Sequence, residues 1–491
     1  MRTSPPRKNS MRGLHHHDAL TKVKKIERKR NASVSDGHAY NKKIKKIHDE
    51  FIEKAKEVIP EKKTSTVKTP DEILFDPDCD PQNPVKITFS DISSAAFSIK
   101  SGIQKTPCSR SSQLSTLYGM DLYFKKEYLQ VTGSFKERGA RYAISRLTEA
   151  ERKAGVIAAS AGNHALALSF HGQQLGVPVT VVMPVVAPLM KISLCRSYGA
   201  NVILKGDNIG KAKDFAMRHA KEHGMKYING YDAAAVLAGQ GTIGLEILEQ
   251  VNDVDAVIVP VGGGGLIAGV ALAIKTLKPA VQIIGVESET CQSWTDAVAA
   301  GKPILSNVSS SLADGLAVPL VGGNSLATAH GYIDKMVTVH EEFIALSILR
   351  LLEMDKAVVE GGGAVGLAAI ISGKLPELKG KRVVSILTGG NIDTTVLGRA
   401  IERGLAVDGR LIRLEVIVSD RPGGIAELAT RIAQLGASIK DIFHERAWLS
   451  TDVFSVKVKV VIETRDKDHV KEIEAFLKEK YTGVIILDVH S

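Results

Sequence analysis

The stretch Val131-Thr132-Gly133-Ser134-Phe135-Lys136-Glu137-Arg138-Gly139-Ala140 places a lysine directly after a turn and at the start of a helical pattern. Gly133 and Ser134 are typical of a turn or a helix N-cap. A cation at this end of a helix is unfavourable, because the helix dipole is positive there. The position becomes reasonable if the Lys136 amine reacts, since a positive field lowers its pKa and Schiff-base formation needs a neutral amine. A surface lysine after a capping serine is the simpler alternative.

The charge of the chain is concentrated at one end. The 491 residues carry a net charge of +10, and their number is sufficient for two or three domains. Residues 1–70 hold 19 Lys/Arg and 8 Asp/Glu, whereas the remainder holds 45 and 46. Because the rest is nearly neutral, the basic balance describes a tail, and we predict no nucleic-acid partner.

Residues 1–85 are predicted to be a disordered basic arm, because they contain too little apolar surface to offset the entropy of ordering. The adjacent His15, His16 and His17 could bind metal, but in such an arm they are more often incidental. No apolar core of signal-peptide type is present, so a cytoplasmic location is predicted, with a mitochondrial presequence as the alternative. The four cysteines show no paired spacing, which indicates reduced thiols.

From residue 86 to about 405, short apolar runs alternate with helical patterns. Continuous apolar strands separated by helices predict an α/β fold with parallel sheets covered on both faces. A compact run at about 158–232 has the pattern of a smaller α/β unit inserted in a larger one. Predicted strands lie at 122–126, 156–159, 179–183, 201–204, 256–259, 283–286 and 383–387. The apolar run 256–274 contains Pro260 and four glycines, so we predict a strand, a loop and a helix there rather than a membrane span.

The pattern changes after residue 410. Residues 411–418 alternate between apolar and polar side chains, which predicts a strand with one buried face. The predicted elements that follow are a helix at 425–435, strands at 437–443 and 453–462, a helix at 468–481 and a strand at 484–489. This β-α-β-β-α-β order predicts a ferredoxin-like α+β domain at 411–491.

Val261-Gly262-Gly263-Gly264-Gly265-Leu266 follows a predicted buried strand and opens a predicted helix. Glycines allow backbone N–H groups to approach an anion, and the helix N-terminus supplies a favourable field. A phosphate-bearing cofactor fits this loop. The alternative is an NAD-dependent oxidoreductase, because Gly263-x-Gly265-x-x-Ala268 followed by Glu287 imitates a dinucleotide fingerprint.

Two further polar loops also follow predicted strands. Ser160-Ala161-Gly162-Asn163-His164 combines exposed N–H groups with a hydroxyl and an amide, which suits a carboxylate or a ring hydroxyl. The second polar loop is Leu387-Thr388-Gly389-Gly390-Asn391. The carboxyl ends of strands in open α/β sheets converge on a ligand crevice, so we expect these loops to meet.

With these loops, the chain resembles pyridoxal-phosphate (PLP) enzymes of the tryptophan-synthase β-subunit type, fold type II, and specifically threonine/serine dehydratases with a C-terminal ACT domain. The matching motifs, in order, are residues 133–140, 160–164, Ala238-Gly239-Gln240-Gly241-Thr242, 262–266 and 388–391. The resemblance covers about 86–405 and implies two open parallel-sheet subdomains. Asp420-Arg421-Pro422-Gly423-Gly424 resembles the ligand loop of ACT domains.

The resemblance implies a role for each site residue. Lys136 would be the catalytic residue, linked to PLP as a Schiff base and, once freed, able to remove the substrate α-proton. The implied PLP-binding residues are Phe135, Lys136, Asn163 (ring hydroxyl), Gly262, Gly263, Gly264, Gly265 and Leu266 (phosphate), and Thr388 (pyridine nitrogen). The implied substrate-binding residues are Ser160, Ala161, Gly162 and His164, and the implied effector-binding residues are Asp420, Arg421, Pro422, Gly423 and Gly424.

The implied reaction is β-elimination from L-threonine to 2-oxobutanoate and ammonia, and from L-serine to pyruvate and ammonia. The implied partners are an amino-acid substrate, an amino-acid or nucleotide effector, and further copies of the chain in a dimer or tetramer. Two departures concern serine racemases of this family, which carry a serine where this chain has Ala161. Their divalent-cation site uses an acidic pair, of which Glu287 matches one and Ser293 replaces the other, so a metal role for Glu287 stays open. Racemase-like activity is one alternative, and an amino-acid-binding regulator without turnover is another.

Overall fold

The computed structural model describes residues 76–446 and 453–487. Residues 1–75 of the predicted disordered arm lie outside the described residues. Residues 76–85 are ordered, contrary to the prediction, because Asn324 accepts from the Val85 N–H at 2.6 Å and donates to the Asp78 carbonyl oxygen at 2.8 Å. The strands are β1 (Cys108–Arg110), β2 (Asp121–Lys126), β3 (Val156–Ala159), β4 (Val179–Met183), β5 (Asn201–Leu204), β6 (Lys226–Tyr227), β7 (Ala256–Pro260), β8 (Gln282–Ser288), β9 (Lys335–Val339), β10 (Arg382–Leu387), β11 (Leu411–Ser419), β12 (Ser438–Glu445), β13 (Ser455–Glu463) and β14 (Ile485–Leu487). The helices are α1 (Phe89–Ile99), α2 (Ser112–Tyr118), α3 (Lys136–Ser145), α4 (Glu149–Ala154), α5 (Asn163–Leu175), α6 (Leu189–Ser197), α7 (Ile209–His223), α8 (Ala234–Gln250), α9 (Gly265–Leu277), α10 (Ser293–Ala300), α11 (Gly323–Ala329), α12 (Glu341–Met354), α13 (Gly361–Ile371), α14 (Thr394–Val407), α15 (Gly424–Gln434) and α16 (Lys467–Lys480).

The larger sheet has six strands in the order β1-β2-β10-β7-β8-β9. All neighbours run parallel except β1, which pairs antiparallel with β2 at one edge. One apolar core joins the sheet to α1, α8 and α9, and a second joins it to α12 and α13. Apolar strands covered on both faces confirm the predicted α/β class.

The smaller sheet is entirely parallel, with the order β5-β4-β3-β6. Helix α5 packs on one side of it, in a core that includes Leu166 and Val181. Helix α7 covers the other side through Ala212, Ala216 and Ala220, which contact the β3 and β4 side chains. These small residues let α7 lie close to the sheet.

The C-terminal sheet is antiparallel, with the order β12-β13-β11-β14. The apolar residues of β11 and β13 alternate with more exposed ones, and α15 and α16 cover the buried face through Leu428, Ile432, Ile473 and Leu477. This is the predicted ferredoxin-like plan, because the two β-α-β units interleave their strands.

Helix α8 begins at Ala234 and continues to Gln250. The motif 238–242 therefore lies inside a helix. A Cβ on Gly239 of this motif would lie 2.7 Å from the Arg138 carbonyl oxygen of α3. Tight packing of α8 against α3 favours glycine there despite its low helix propensity.

The apolar run from Ala256 to Ile274 divides into strand β7 and helix α9, as predicted. In the described part of the chain, no helix combines the length and the apolar character that a membrane span requires.

Candidate active site

Three of the predicted site loops leave the larger sheet at one edge. Strands β2, β10 and β7 are parallel neighbours, and their carboxyl ends lead to Lys136, Thr388 and the 262–265 loop respectively. The loop 160–163 follows β3 of the smaller sheet. All four stretches line one cavity of about 540 Å³. The expectation that the loops converge is therefore confirmed.

Lys136 is the first residue of α3, as the sequence indicated. Its Nζ donates a hydrogen bond to the Gly230 carbonyl oxygen at 2.6 Å and lies 5.1 Å from the centre of the Phe135 ring. Burial lowers the pKa of this amine to about 8, although Glu360 opposes the shift. The principal cause is thus desolvation, and not the helix end that the sequence argument invoked.

Thr388 is held next to the lysine stretch by the backbone. The Phe135 N–H donates to the Thr388 carbonyl oxygen at 3.0 Å, and the Gly390 N–H donates to the Gly133 carbonyl oxygen at 2.9 Å. Ser134 and Gly389, which lie between these two hydrogen bonds, form an isolated antiparallel β-bridge. The Thr388 loop and the turn before Lys136 therefore act as one unit.

The glycine loop forms a cradle before α9. Gly264 has φ of +95°, and a Cβ at this residue would lie 2.0 Å from the Trp294 ring. Only glycine fits such a position without strain. The chain then enters α9 at Gly265, so N–H groups at the start of a 13-residue helix are available to an anion.

Asn163 opens α5 and belongs to a hydrogen-bonded chain of side chains. Its Nδ2 donates to Glu360 Oε1 at 2.7 Å, and its Oδ1 accepts from Asn391 Nδ2 at 2.9 Å. Asn391 Nδ2 also donates to the Thr132 carbonyl oxygen at 2.7 Å. These bonds fix the amide of Asn163 between the two sheets and orient it at the cavity wall.

The other residues of the 160–164 loop surround the start of α5. Gly162 is the N-cap, and the Ser160 hydroxyl oxygen accepts from its N–H at 3.3 Å. His164 is buried, with Nε2 at 3.1 Å from the Ile228 carbonyl oxygen. Burial and the neighbouring Lys136 lower the pKa of His164 to about 3, so its ring is neutral.

Buried polar atoms of two side chains at the cavity make no hydrogen bond to the described part of the protein. Both amide atoms of Gln240 and the Nδ1 of His164 make no hydrogen bond within the protein, although each side chain is buried. Buried polar atoms normally have partners, so these atoms indicate that the cavity is built around a bound polar group. Together with the glycine cradle and the Lys136 amine, they fit a phosphate-bearing carbonyl cofactor such as PLP.

Glu287 takes no part in this cavity. Its carboxylate accepts hydrogen bonds from the Trp294 N–H at 2.7 Å and from the Thr295 N–H and hydroxyl at 3.1 and 2.7 Å. The side chain is thus committed to the start of α10, whereas a dinucleotide fingerprint needs this carboxylate to accept from ribose hydroxyls. In the described ranges, no cluster of three potential metal ligands includes Glu287.

The predicted effector loop connects β11 to α15. The Asp420 carboxylate accepts from Arg446 Nε at 2.6 Å and Nη2 at 2.9 Å, which lowers the pKa of Asp420. Arg421 is exposed. Gly423 has φ of +98° and precedes the first turn of α15, so the loop ends at a helix N-terminus.

Sequence reasoning missed Glu360 as a residue of the cavity wall and Asn391 as a hydrogen-bond partner of Asn163. Glu360 is the N-cap of α13 and is buried, and burial together with Asp314 raises its pKa to about 7. Its signal was a fourth glycine-rich stretch, 361–363, directly after a short apolar run. Asn391 was quoted at the end of its loop, but no role followed from its position.

We expect Glu360→Gln to change how stability depends on pH. Below pH 4.5 this carboxyl is protonated in both folded and unfolded chains. Between pH 4.5 and about 7 the unfolded chain releases the proton that the folded chain keeps, so the folded state loses up to roughly 3 kcal/mol. Urea unfolding of cofactor-free protein from pH 5 to 8 should show this loss in the parent and little of it in the variant.

The control for this comparison is Glu149→Gln, which changes an exposed carboxyl on α4. It should keep the pH dependence of the parent. If Glu360→Gln also kept it, the raised pKa of Glu360 would be refuted.

An open α/β sheet with a reactive lysine and a glycine cradle at its carboxyl edge defines the class of PLP-dependent enzymes of fold type II. The family model described as "Pyridoxal-phosphate dependent enzyme" matches residues 99–389. The chain belongs to this family, whose members use PLP, and the resemblance noted in the sequence is confirmed at this level.

Two curated relatives that resemble the chain are L-threonine ammonia-lyases. The chain is 44% identical over 394 residues to the L-threonine ammonia-lyase of Thermotoga maritima, which covers 80% of this chain and 98% of that protein. It is 42% identical over 381 residues to the L-threonine ammonia-lyase of Geobacter sulfurreducens, covering 77% and 94%.

Solved structures resemble the chain in the same region. The processed form of threonine deaminase isoform 2 from Solanum lycopersicum superposes with a TM-score of 0.61 at 35% identity, covering 65% of this chain and 95% of that one. Serine racemase from Dictyostelium discoideum gives 0.59 at 35% identity, covering 63% and 100%. Both a deaminase and a racemase are therefore similar in fold, so reaction type depends on the site residues.

Proposed function

We propose that the chain deaminates L-threonine to 2-oxobutanoate and ammonium, with L-serine as a second substrate that gives pyruvate. One observation carries the proposal: a buried lysine amine with a pKa near 8 faces a phosphate-type glycine cradle in a single cavity. The 44% identity to a threonine ammonia-lyase across nearly its whole length supports the choice of substrate. The reaction removes water and returns it on hydrolysis, so threonine and its two products balance.

Most of the cavity residues would bind the cofactor or the substrate, and the Lys136 amine would be the group that reacts. The N–H groups of Gly262, Gly263, Gly264, Gly265 and Leu266 would hold the cofactor phosphate. Phe135 would pack against the ring, the oriented Asn163 amide would bond its hydroxyl, and Thr388 would face its nitrogen. The start of α5, with Ser160, Ala161, Gly162 and His164, would receive the substrate carboxylate, because N–H groups at a helix N-terminus bind anions.

Bound PLP would supply an electron sink for the charge that develops when the substrate α-proton leaves. Lys136 would remove that proton, since at a pKa near 8 its amine keeps a neutral fraction at physiological pH. Neutral His164 would add no second positive charge beside the amine. Glu360 would keep the Asn163 amide in place through their 2.7 Å bond.

The reaction should be elimination and not racemisation, for two reasons. Thr388 is a hydroxyl partner and cannot hold a pyridine nitrogen protonated as a carboxylate would, which favours early loss of the β-hydroxyl. Ala161 provides no acid or base on the face opposite Lys136. A racemase needs a proton donor on that face.

We therefore expect L-threonine and L-serine to yield equimolar 2-oxo acid and ammonia, with little D-serine in the unreacted pool. The measurement is 2-oxo acid and ammonia release together with chiral chromatography of residual serine. Ala161→Ser, which restores the racemase residue, is the matched variant and should raise D-serine formation. Substantial D-serine formation by the parent enzyme would contradict the proposal. A protein that bound PLP without releasing ammonia would favour the alternative of an amino-acid-binding regulator without turnover.

We also propose a domain organisation: a catalytic domain at 86–405 with a small subdomain at about 158–232, followed by an ACT-like regulatory domain at 411–491. The ferredoxin-like plan of the last domain supports this assignment. The alignment with the Thermotoga maritima relative spans 394 residues, which is longer than the range 86–405. The similarity therefore extends beyond the proposed catalytic domain.

The described contacts offer a route between the two domains. Lys440 of β12 pairs with Glu402 of α14 at 2.5 Å, and Arg410, just before β11, pairs with Glu353 of α12 at 2.6 Å. Strand β12 is an edge strand that exposes Ile442 and Phe443, which suits pairing with another subunit in a homodimer or tetramer. An effector held at an interface of this kind would act on the catalytic helices.

The proposed effector is an amino acid, isoleucine or valine, and the proposed effector-binding residues are Asp420, Arg421, Pro422, Gly423 and Gly424. The N–H groups at the start of α15 and the exposed Arg421 suit a carboxylate. A nucleotide is the alternative effector. A dimerisation module in which these glycines only make the turn is the alternative function of the domain.

We expect isoleucine or valine to shift the threonine concentration at half-saturation by about 5–150-fold in the full chain. A chain that ends at residue 410 should not respond. Because that truncation exposes new surface, Arg421→Ala in the full chain serves as a second variant and should weaken the response. If turnover responded to isoleucine or valine identically in the full chain, the truncated chain and Arg421→Ala, the effector proposal would be wrong. The domain at 411–491 would then be a dimerisation module only.

A further inference from the structure

Helix α7 carries a group of metal-type ligands that is separate from the active-site cavity. His219, Glu222 and His223 lie in its last two turns at spacings of three and four residues, which place them on one face. One ligand atom from each residue lies within 4.8 Å of the others. Imidazole and carboxylate ligands at this spacing suit a dication of the zinc, nickel or copper type.

The ring of His223 is oriented by the backbone. Its Nδ1 lies 3.0 Å from the carbonyl oxygen of His219. When Nδ1–H donates to that oxygen, the neutral ring carries its lone pair on Nε2, the atom that can bind a metal. Metal-binding histidines commonly have their other nitrogen held by such a bond.

The ring of His219 is oriented by stacking. It lies between the rings of Phe215, at 5.7 Å and 20° between planes, and His223, at 4.0 Å and 29°. Phe215 itself packs against the core beneath α7. The anchored Phe215 contact restricts the His219 ring. The stack of His219 on His223 must open when both rings bind one ion, because a metal lies in the plane of each imidazole.

We propose that His219, Glu222 and His223 bind one transition-metal dication, with Zn²⁺ as the reference case. Two nitrogens and one carboxylate oxygen give three protein ligands and leave one position open to water. Zinc needs ligand atoms about 3.3 Å apart, given Zn–N distances of about 2.0–2.1 Å. The separation of up to 4.8 Å closes by rotation of the exposed Glu222 and His223 side chains and of the half-buried His219.

The bound ion would join the last two turns of α7. The first turn of the same helix, through Ile209, Gly210 and Lys213, lines the active-site cavity. The ion would thus stabilise an element that forms part of the cavity wall, at its distant end. A ligand that binds only the folded chain raises stability with concentration, so the ion should raise the melting temperature.

The test uses full-length holoenzyme freed of excess PLP. The run His15–His17 is another potential metal-binding segment, so all proteins carry His15→Ala, His16→Ala and His17→Ala. Titration with Zn²⁺ by calorimetry is expected to show one site per chain. Co²⁺ should give visible absorption bands of the bound ion, and saturating Zn²⁺ should raise the melting temperature.

His219→Ala/His223→Ala should lose the site, with affinity at least about 10-fold weaker for each imidazole removed, and Glu222→Gln should weaken it less. His330→Ala, an exposed histidine elsewhere, is the matched control and should bind as the background protein does. Circular dichroism of each variant without metal checks that α7 is intact. Equal Zn²⁺ affinity and equal Co²⁺ spectra in the double variant and its background would overturn the proposal.

Discussion

Lys136→Ala is expected to eliminate covalent attachment of PLP and to reduce threonine turnover by at least about 10³-fold, because one amine would both link the cofactor and move the α-proton. Lys136 is the residue of this cavity whose amine burial brings to a pKa of about 8. The measurement is the intact mass after borohydride reduction, which fixes the Schiff base as a stable adduct. The parent should gain one cofactor mass, and the variant should gain none.

Lys213→Ala is the matched control, since Lys213 also lines the cavity but lies on α7 in its outer wall. That variant should still show the adduct. An adduct that persisted in Lys136→Ala and disappeared in Lys213→Ala would transfer the catalytic role to Lys213. A colourless parent that bound a nicotinamide cofactor instead would revive the oxidoreductase alternative.

Arg138→Met is expected to destabilise the fold by about 3–5 kcal/mol, because it leaves the buried Glu127 and the half-buried Glu246 with one cation, Lys125, between them. The Arg138 guanidinium is fully buried and donates to Glu127 at 2.8 and 2.7 Å and to Glu246 at 2.7 and 2.9 Å. Lys125 shares both acids. This network anchors α3 two residues after Lys136, so its loss should lower the urea midpoint markedly.

Two comparisons make the result specific. Arg146→Met, at the exposed end of the same helix, should change stability little. Adding Glu127→Gln to Arg138→Met removes the excess negative charge, leaves Lys125 paired with Glu246, and should recover part of the loss. If Arg138→Met were as stable as Arg146→Met, the buried network would have no structural role.

Much of the fold could be predicted because its signals are local. Runs such as 156–159 and 179–183 are apolar over the length of one strand, and the structure places β3 and β4 at those residues. The polar loops follow strands, so their convergence followed from the geometry of parallel sheets. Lys136 stands where the sequence indicated because turn and helix signals surround it.

Other features depend on residues that are far apart in the chain. Glu360 meets Asn163 across 197 positions, and Arg138 meets Glu246 across 108. Glu246 carried no local signal and Glu360 only that of the glycines at 361–363 beside it, and glutamate is usually exposed. Glu287 fitted a dinucleotide fingerprint by spacing, yet its carboxylate binds the start of α10.

The sequence by itself determined the α/β class, the ferredoxin-like C-terminal plan and the loops around Lys136, because periodicity and turn chemistry act over a few residues. Only the tertiary structure decided the strand order β2-β10-β7, which brings three of those loops together. It also decided the environment of the reactive groups. The pKa of Lys136 and that of Glu360 are set mainly by burial. Burial is a property of the packed whole, which no short stretch of sequence contains.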